Sequence, residues 1–144
     1  MSALTEGLED YLEAMLLEEK ERRFVRTKDV ANRLGVTSPS VNAAVRELGS
    51  LGLVKHESYG HIELTPKGRK KAELIYSRHR TLYQFFAQTL RLPAAVSEAS
   101  ACGAEHHLDA DALKKLTKLL DFLGKKARKS GAFATELREA LGRD

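Results

Sequence analysis

The chain carries a single cysteine, Cys102, so no disulfide can form within it. That fits a reducing compartment and leaves the thiol available for metal or redox chemistry. No apolar stretch approaches the ~18 residues a membrane helix needs. The acidic start MSALTEGLEDYLE also lacks the basic-then-apolar order of a secretion signal, so a cytoplasmic protein with no membrane partner is expected. Repeats, low-complexity tracts and flexible linkers are missing. Nor is there a glycine-rich loop or a nucleophile motif to make an enzyme of the acids and histidines, so no small-molecule substrate is expected.

What is present is enough chain, 144 residues, to bury a core as one ordinary domain or as two small units sharing a helix. The net charge of +4 is unevenly spread. Residues 1–19 hold six acidic and no basic side chains, whereas residues 20–71 hold twelve basic against five acidic. A polyanion would bind the middle segment.

Hydrophobic spacing supplies the elements. Leu8, Tyr11, Leu12, Met15 and Leu16 form one face of a first helix, with Asp10, Glu13 and Leu17 on the other side. In VRTKDVANRLGV, Thr27 is the expected N-cap and Gly35 the stop. In TSPSVNAAVRELGSLGLV, Ser38 is the expected cap and Pro39 suits the first helical position. Val41, Ala44, Val45 and Leu48 face inward, leaving Ser40, Asn42, Ala43 and Arg46 outward. Two helices joined by a short glycine turn make a helix-turn-helix. LVKHESYGHIEL then reads as a hairpin turning near Ser58, Tyr59 and Gly60, which is the wing of a winged helix-turn-helix. From Pro66 a helix is expected to run unbroken to about Leu92 before Pro93 stops it. Three further helices follow, with Asp109 as a cap and a leucine face at Leu113, Leu116, Leu119, Leu120 and Leu123. That face either closes the monomer core or forms a dimer surface.

Three helices offer metal donors: Asp10 and Glu13 on the first, His79 on the long one, and Cys102, Glu105 and His106 on the fifth. Offsets of three and four residues put the last three on one helix face. Mixed oxygen, nitrogen and sulfur donors suit a divalent first-row transition metal. Each pair is weak alone, and His79 lies in the apolar row Ala72, Ile75, Leu82, Phe86, Leu90, where a core histidine bonded to a carboxylate or carbonyl is the simpler account.

The blocks LEDYLEAM, VRTKDVANRLGVTSPSVNAAVRELGSLGLV, GHIELTPKG, RHRTLYQFF and AEHHLD, in this order and spacing, resemble the metal-dependent repressors of the diphtheria toxin repressor and manganese transport regulator family. The resemblance covers nearly the whole chain. It implies a mainly α protein: an N-terminal winged helix-turn-helix in residues 1–71, then a helical metal-binding and dimerisation domain in residues 72–144, with the long helix from about residue 66 shared. It also implies a homodimer on a palindromic double-stranded DNA operator, activated by Mn(II) or Fe(II), with Co(II), Zn(II), Ni(II) or Cd(II) as further candidates in vitro, and controlling metal-uptake genes. Carried over position by position, the ligands are Asp10, Glu13, His79, Cys102, Glu105 and His106. Since the chain ends soon after ELREALGRD, it looks like the short manganese-regulator form, without an SH3-like domain.

Two departures stand out. Cysteine at 102 matches iron-type members, while aspartate at 10 matches manganese-type members. Glu98 and Tyr83 stand where the ancillary site of iron-type members has histidine and glutamate. On DNA, Asn42 is the candidate to read an adenine edge, and Pro39 and Ala43 to touch thymine methyls. Arg26, Lys28, Arg46 and Lys55 are candidates for phosphate contact, and Thr37, Ser38, Ser40 and Tyr59 complete the set. The alternative is a winged-helix regulator that senses oxidants through Cys102, or a small ligand, without metal.

Overall fold

The computed structural model describes residues 4–56 and 60–142. Its elements are α1 (Glu6–Glu21), β1 (Val25–Arg26), α2 (Thr27–Leu34), α3 (Ser38–Ser50), β2 (Val54–His56), β3 (His61–Leu64), α4 (Pro66–Gln84), a π-helical turn (Phe85–Thr89), α5 (Ala94–Glu105), α6 (Ala110–Lys129) and α7 (Gly131–Ala140). The chain is mainly helical and has the expected winged helix-turn-helix followed by a helical region. It divides into two compact units, Met1–Ser77 and Arg78–Asp144, the boundary falling inside α4.

In the first unit the predicted apolar faces meet. Leu12, Met15 and Leu16 of α1, Val30 of α2, Val41 and Leu48 of α3, and Ala72 and Ile75 of α4 are almost wholly buried. Each large side chain so buried contributes roughly 1.5–3 kcal/mol. Glu13, expected on the open side of α1, is itself buried. Gly35 ends α2 at φ +66°, a left-handed conformation that glycine adopts without strain. Val36 N then donates to Ala31 O at 3.0 Å, closing the turn into α3.

Two caps lie one residue away from their expected places. Thr37, not Ser38, caps α3, accepting from Ser40 N at 3.4 Å. This shift leaves Pro39 in the first turn, where helix amides need no intrahelical partner, so proline could not fix the register. Thr27 is the first residue of α2 and not its cap. The preceding Arg26 belongs to β1, a two-residue strand too short to show a period. β1 pairs antiparallel with β3 (Val25 with Ile62), and β2 pairs with β3 (Val54 with Leu64), giving a sheet ordered β1-β3-β2. The expected turn at Ser58 and Tyr59 lies outside the described residues.

Thr65 caps α4, accepting from Gly68 N at 3.0 Å while its hydroxyl donates to Gly52 O at 2.7 Å. The α-helical part of α4 ends at Gln84, short of the expected Leu92. Pro93 disfavours helical backbone at Leu92. The chain unwinds before it through wider bonds, Leu90 N to Phe85 O and Leu92 N to Phe86 O, both 3.0 Å, and through Arg91 at φ 59°.

In the second unit α5 buries one stripe, Ser97, Ala101 and Glu105, at four-residue spacing. Ser97 Oγ donates to Leu92 O at 3.1 Å. Asp109 caps α6 as expected, accepting from Ala112 N at 2.7 Å. On the leucine face Leu113 is buried and Leu116, Leu120 and Leu123 are half-buried, but Leu119 is 49% exposed, as is neighbouring Phe122 at 59%. Lys126 Nζ packs over the Phe133 ring of α7 at 4.4 Å.

Candidate metal centre and nucleic-acid face

Because Val41, Ala44, Val45 and Leu48 turn α3 inward, its remaining face is presented to solvent. Ser38, Pro39, Ser40, Asn42, Ala43 and Arg46 are all exposed, with Thr37 at the cap. Arg26, Lys28 and Lys55, from β1, α2 and β2, are exposed on the same unit. Tyr59 lies outside the described residues. Thr27 Oγ1 donates to Asn42 Oδ1 at 3.2 Å, so the residue read as a cap instead ties the start of α2 to the outer face of α3. Phe24, half-exposed beside Arg23, stacks on His61 of β3 with ring centroids 4.7 Å apart. Neither contact shows in helical or strand periodicity, because each joins residues far apart in sequence.

The six metal-donor candidates divide between the units. Asp10 and Glu13 sit three residues apart on α1, the first half-buried and the second buried. Buried carboxylates are costly unless a cation or hydrogen-bond donors compensate them. α1 shows such compensation at Glu18, 3% exposed, which meets Arg22 at 2.9 Å and Arg33 at 2.7 Å. Glu9 lies 3.8 Å from Lys71 Nζ.

The second unit gathers the other candidates around Glu105, whose place on the buried stripe of α5 leaves it 1% exposed. His79, from the last turns of α4, has Nδ1 2.7 Å from Glu105 Oε2. His106 caps the C-terminus of α5 with Nε2 3.5 Å from Glu105 Oε1. Oε1 is buried, yet among the described residues it accepts no hydrogen bond. Cys102 does not share the burial of Glu105; it stands at the exposed edge of the helix. His79 also meets Glu98, with Nε2 3.0 Å from Oε1, a contact that the sequence pattern did not single out.

A carboxylate with one buried oxygen lacking a donor, flanked by two imidazoles, fits a bound cation. Its neighbours are borderline nitrogen donors, and a thiol stands one turn away on α5. The set suits a divalent transition metal better than calcium or magnesium, which favour oxygen throughout.

A family model described as the iron-dependent repressor N-terminal DNA-binding domain matches residues 3–62. Another, described as the iron-dependent repressor metal-binding and dimerisation domain, matches residues 65–130. An HTH-type transcriptional regulator of Methanocaldococcus jannaschii is 33% identical over 114 residues, 78% of this chain and 91% of the relative. The HTH-type transcriptional regulator MntR of Geobacillus kaustophilus is 33% identical over 129 residues, 87% of this chain and 88% of the relative. Among solved structures, a manganese-dependent transcriptional repressor in complex with manganese superposes with a TM-score of 0.72 at 28% identity over 80% of this chain. The chain spans 53% of the length of that structure.

Proposed function

The chain belongs to the iron-dependent repressor family of metal-dependent transcriptional regulators, and from that premise we propose that it is a homodimeric repressor activated by Mn(II) or Fe(II). Its operator is a palindromic DNA site, its targets are metal-uptake genes, and it works in the cytoplasm without catalysing a reaction. Among the described residues no helix is long and apolar enough to cross a membrane. Residues 1–71 form the DNA-binding domain and contribute two of the ligands, and residues 72–144 form the metal-binding and dimerisation domain.

The ligands are Asp10, Glu13, His79, Cys102, Glu105 and His106. When bound, a divalent ion would supply positive charge that offsets the carboxylates among these donors. Without that charge Asp10, Glu13 and Glu105 would repel one another. With it, the two recognition helices of the dimer hold one spacing, and half-sites about one helical turn apart accept both. Asn42, Pro39 and Ala43 read base edges from α3, with Thr37, Ser38 and Ser40 beside them, and Tyr59 is the remaining DNA-contact candidate. Arg26, Lys28, Arg46 and Lys55 contact phosphate.

The observation that carries this reading is the buried Glu105 carboxylate, with one oxygen lacking a hydrogen bond among the described residues and two histidines beside it. Gel-shift titration tests it. Chelator is expected to abolish operator binding and added Mn(II) to restore it, whereas equal affinity of stripped and loaded protein would sink the corepressor role. A thiol-based oxidant sensor would ignore chelator and respond to peroxide instead.

A further inference from the structure

The His79 ring is held at both nitrogens by carboxylates of one helix. Glu105 Oε2 lies 2.7 Å from Nδ1 and Glu98 Oε1 lies 3.0 Å from Nε2. Residues 98 and 105 are seven apart, two turns of α5, so they stand on nearly the same side of the helix about 10 Å apart along its axis. The histidine from α4 is bracketed between them. A neutral imidazole has one N–H and one lone pair, and the environments of the two carboxylates decide which nitrogen takes which role.

Glu98 has a side chain 61% exposed, so water stabilises its charge and it accepts an N–H at little cost. Glu105 has a side chain 1% exposed and an oxygen that accepts no hydrogen bond among the described residues, so it is the partner that needs a cation. Two donors bound at ~2.1 Å to one ion lie roughly 3 Å apart, and the 2.7 Å between Nδ1 and Glu105 Oε2 needs only a small opening to reach that separation. Resting on the metal-binding reading of His79 and Glu105, we propose that Glu98 is a positioning residue: it accepts a hydrogen bond from Nε2–H of His79 and thereby fixes Nδ1 as the metal donor. An outer carboxylate holding a ligating histidine in this way sets both the tautomer and the ring orientation.

The test uses the full chain labelled with ¹⁵N-histidine and loaded with ¹¹³Cd(II), together with Mn(II) affinities measured against a competing chelator. In the wild type, cadmium coupling should fall on Nδ1 of His79 while Nε2 keeps its proton. Glu98→Ala should lower Mn(II) affinity on the order of 10-fold or more and let the ring turn, splitting the coupling between the two nitrogens. Glu98→Gln keeps an acceptor oxygen and should retain most of the affinity and the Nδ1 coupling. Coupling to Nε2 in the wild type, or unchanged affinity and coupling in Glu98→Ala, overturns the proposal while leaving His79 a ligand. If His79→Ala also binds Mn(II) as tightly as the wild type, the metal-binding reading of His79 falls with it.

Discussion

Thiolates are soft donors and carboxylates hard ones, so exchanging one for the other at Cys102 should move metal preference more than total affinity. Cys102→Glu is expected to shift activation toward Mn(II) and away from Co(II), read as the ratio of the two activation constants in operator binding. An unmoved ratio would place the thiol outside the coordination shell, in keeping with its exposed position on α5. At the DNA face, Thr27→Val removes the hydroxyl that holds Asn42 Oδ1. An exposed neutral hydrogen bond contributes about 0.5–1 kcal/mol, so operator affinity should fall roughly 2- to 5-fold, with the melting temperature of the free protein almost unchanged. Residue types and spacing made Asn42 and the six donor candidates visible in the sequence. Thr27 beside Asn42 and Glu98 beside His79 were not, because those contacts join helices that only the fold brings together.

Elements were legible wherever a period of 3.6 had room to repeat, as in α1, α3 and α6, and where a turn needed a particular residue, as at Gly35. The strand β1, at two residues, and the π turn after Gln84 gave no such signal. The start of α4 carries a constraint that its pattern only hinted at. A side-chain carbon added at Gly68 would lie 1.8 Å from the Leu53 carbonyl oxygen. Thr65 and Lys67 also bond the 51–53 turn there, Lys67 Nζ donating to Leu51 O at 3.1 Å. The helix therefore docks backbone to backbone. Gly68→Ala must push the two apart and should cost about 3 kcal/mol, measured by urea unfolding of metal-free protein; a loss under ~0.5 kcal/mol would show that the docking yields. Another clasp joins α1 to α2. Burial alone would lower the pKa of Arg33, but its hydrogen bonds to Glu18 and Glu21 outweigh that and raise it. The guanidinium stays charged at any pH where the protein folds, so the clasp does not weaken across the neutral range through Arg33.

For the whole molecule, the uneven charge that first suggested a polyanion makes a quantitative claim once it is joined to the proposed dimer. Each protomer offers Arg26, Lys28, Arg46 and Lys55 as exposed cations on the DNA-binding unit. If both protomers engage all four, about eight phosphates lose their counterions, and the logarithm of the affinity should fall with the logarithm of salt at a slope of about −7. The apolar side chains left open on α6, Leu119 and Phe122, lie in the segment matched by the dimerisation domain, so Leu119→Asp combined with Phe122→Asp should yield a monomer in sedimentation analysis. Such a monomer keeps its α3 face and all six donor candidates. It should still bind Mn(II), but it presents half the cations, so its slope should drop to about half. Metal stoichiometry per chain, measured on the same sample, separates loss of the dimer from loss of the second unit's fold. A monomeric variant with the full wild-type slope would mean that one protomer carries all the phosphate contacts, and the two-helix spacing mechanism would then have no role for the metal to control.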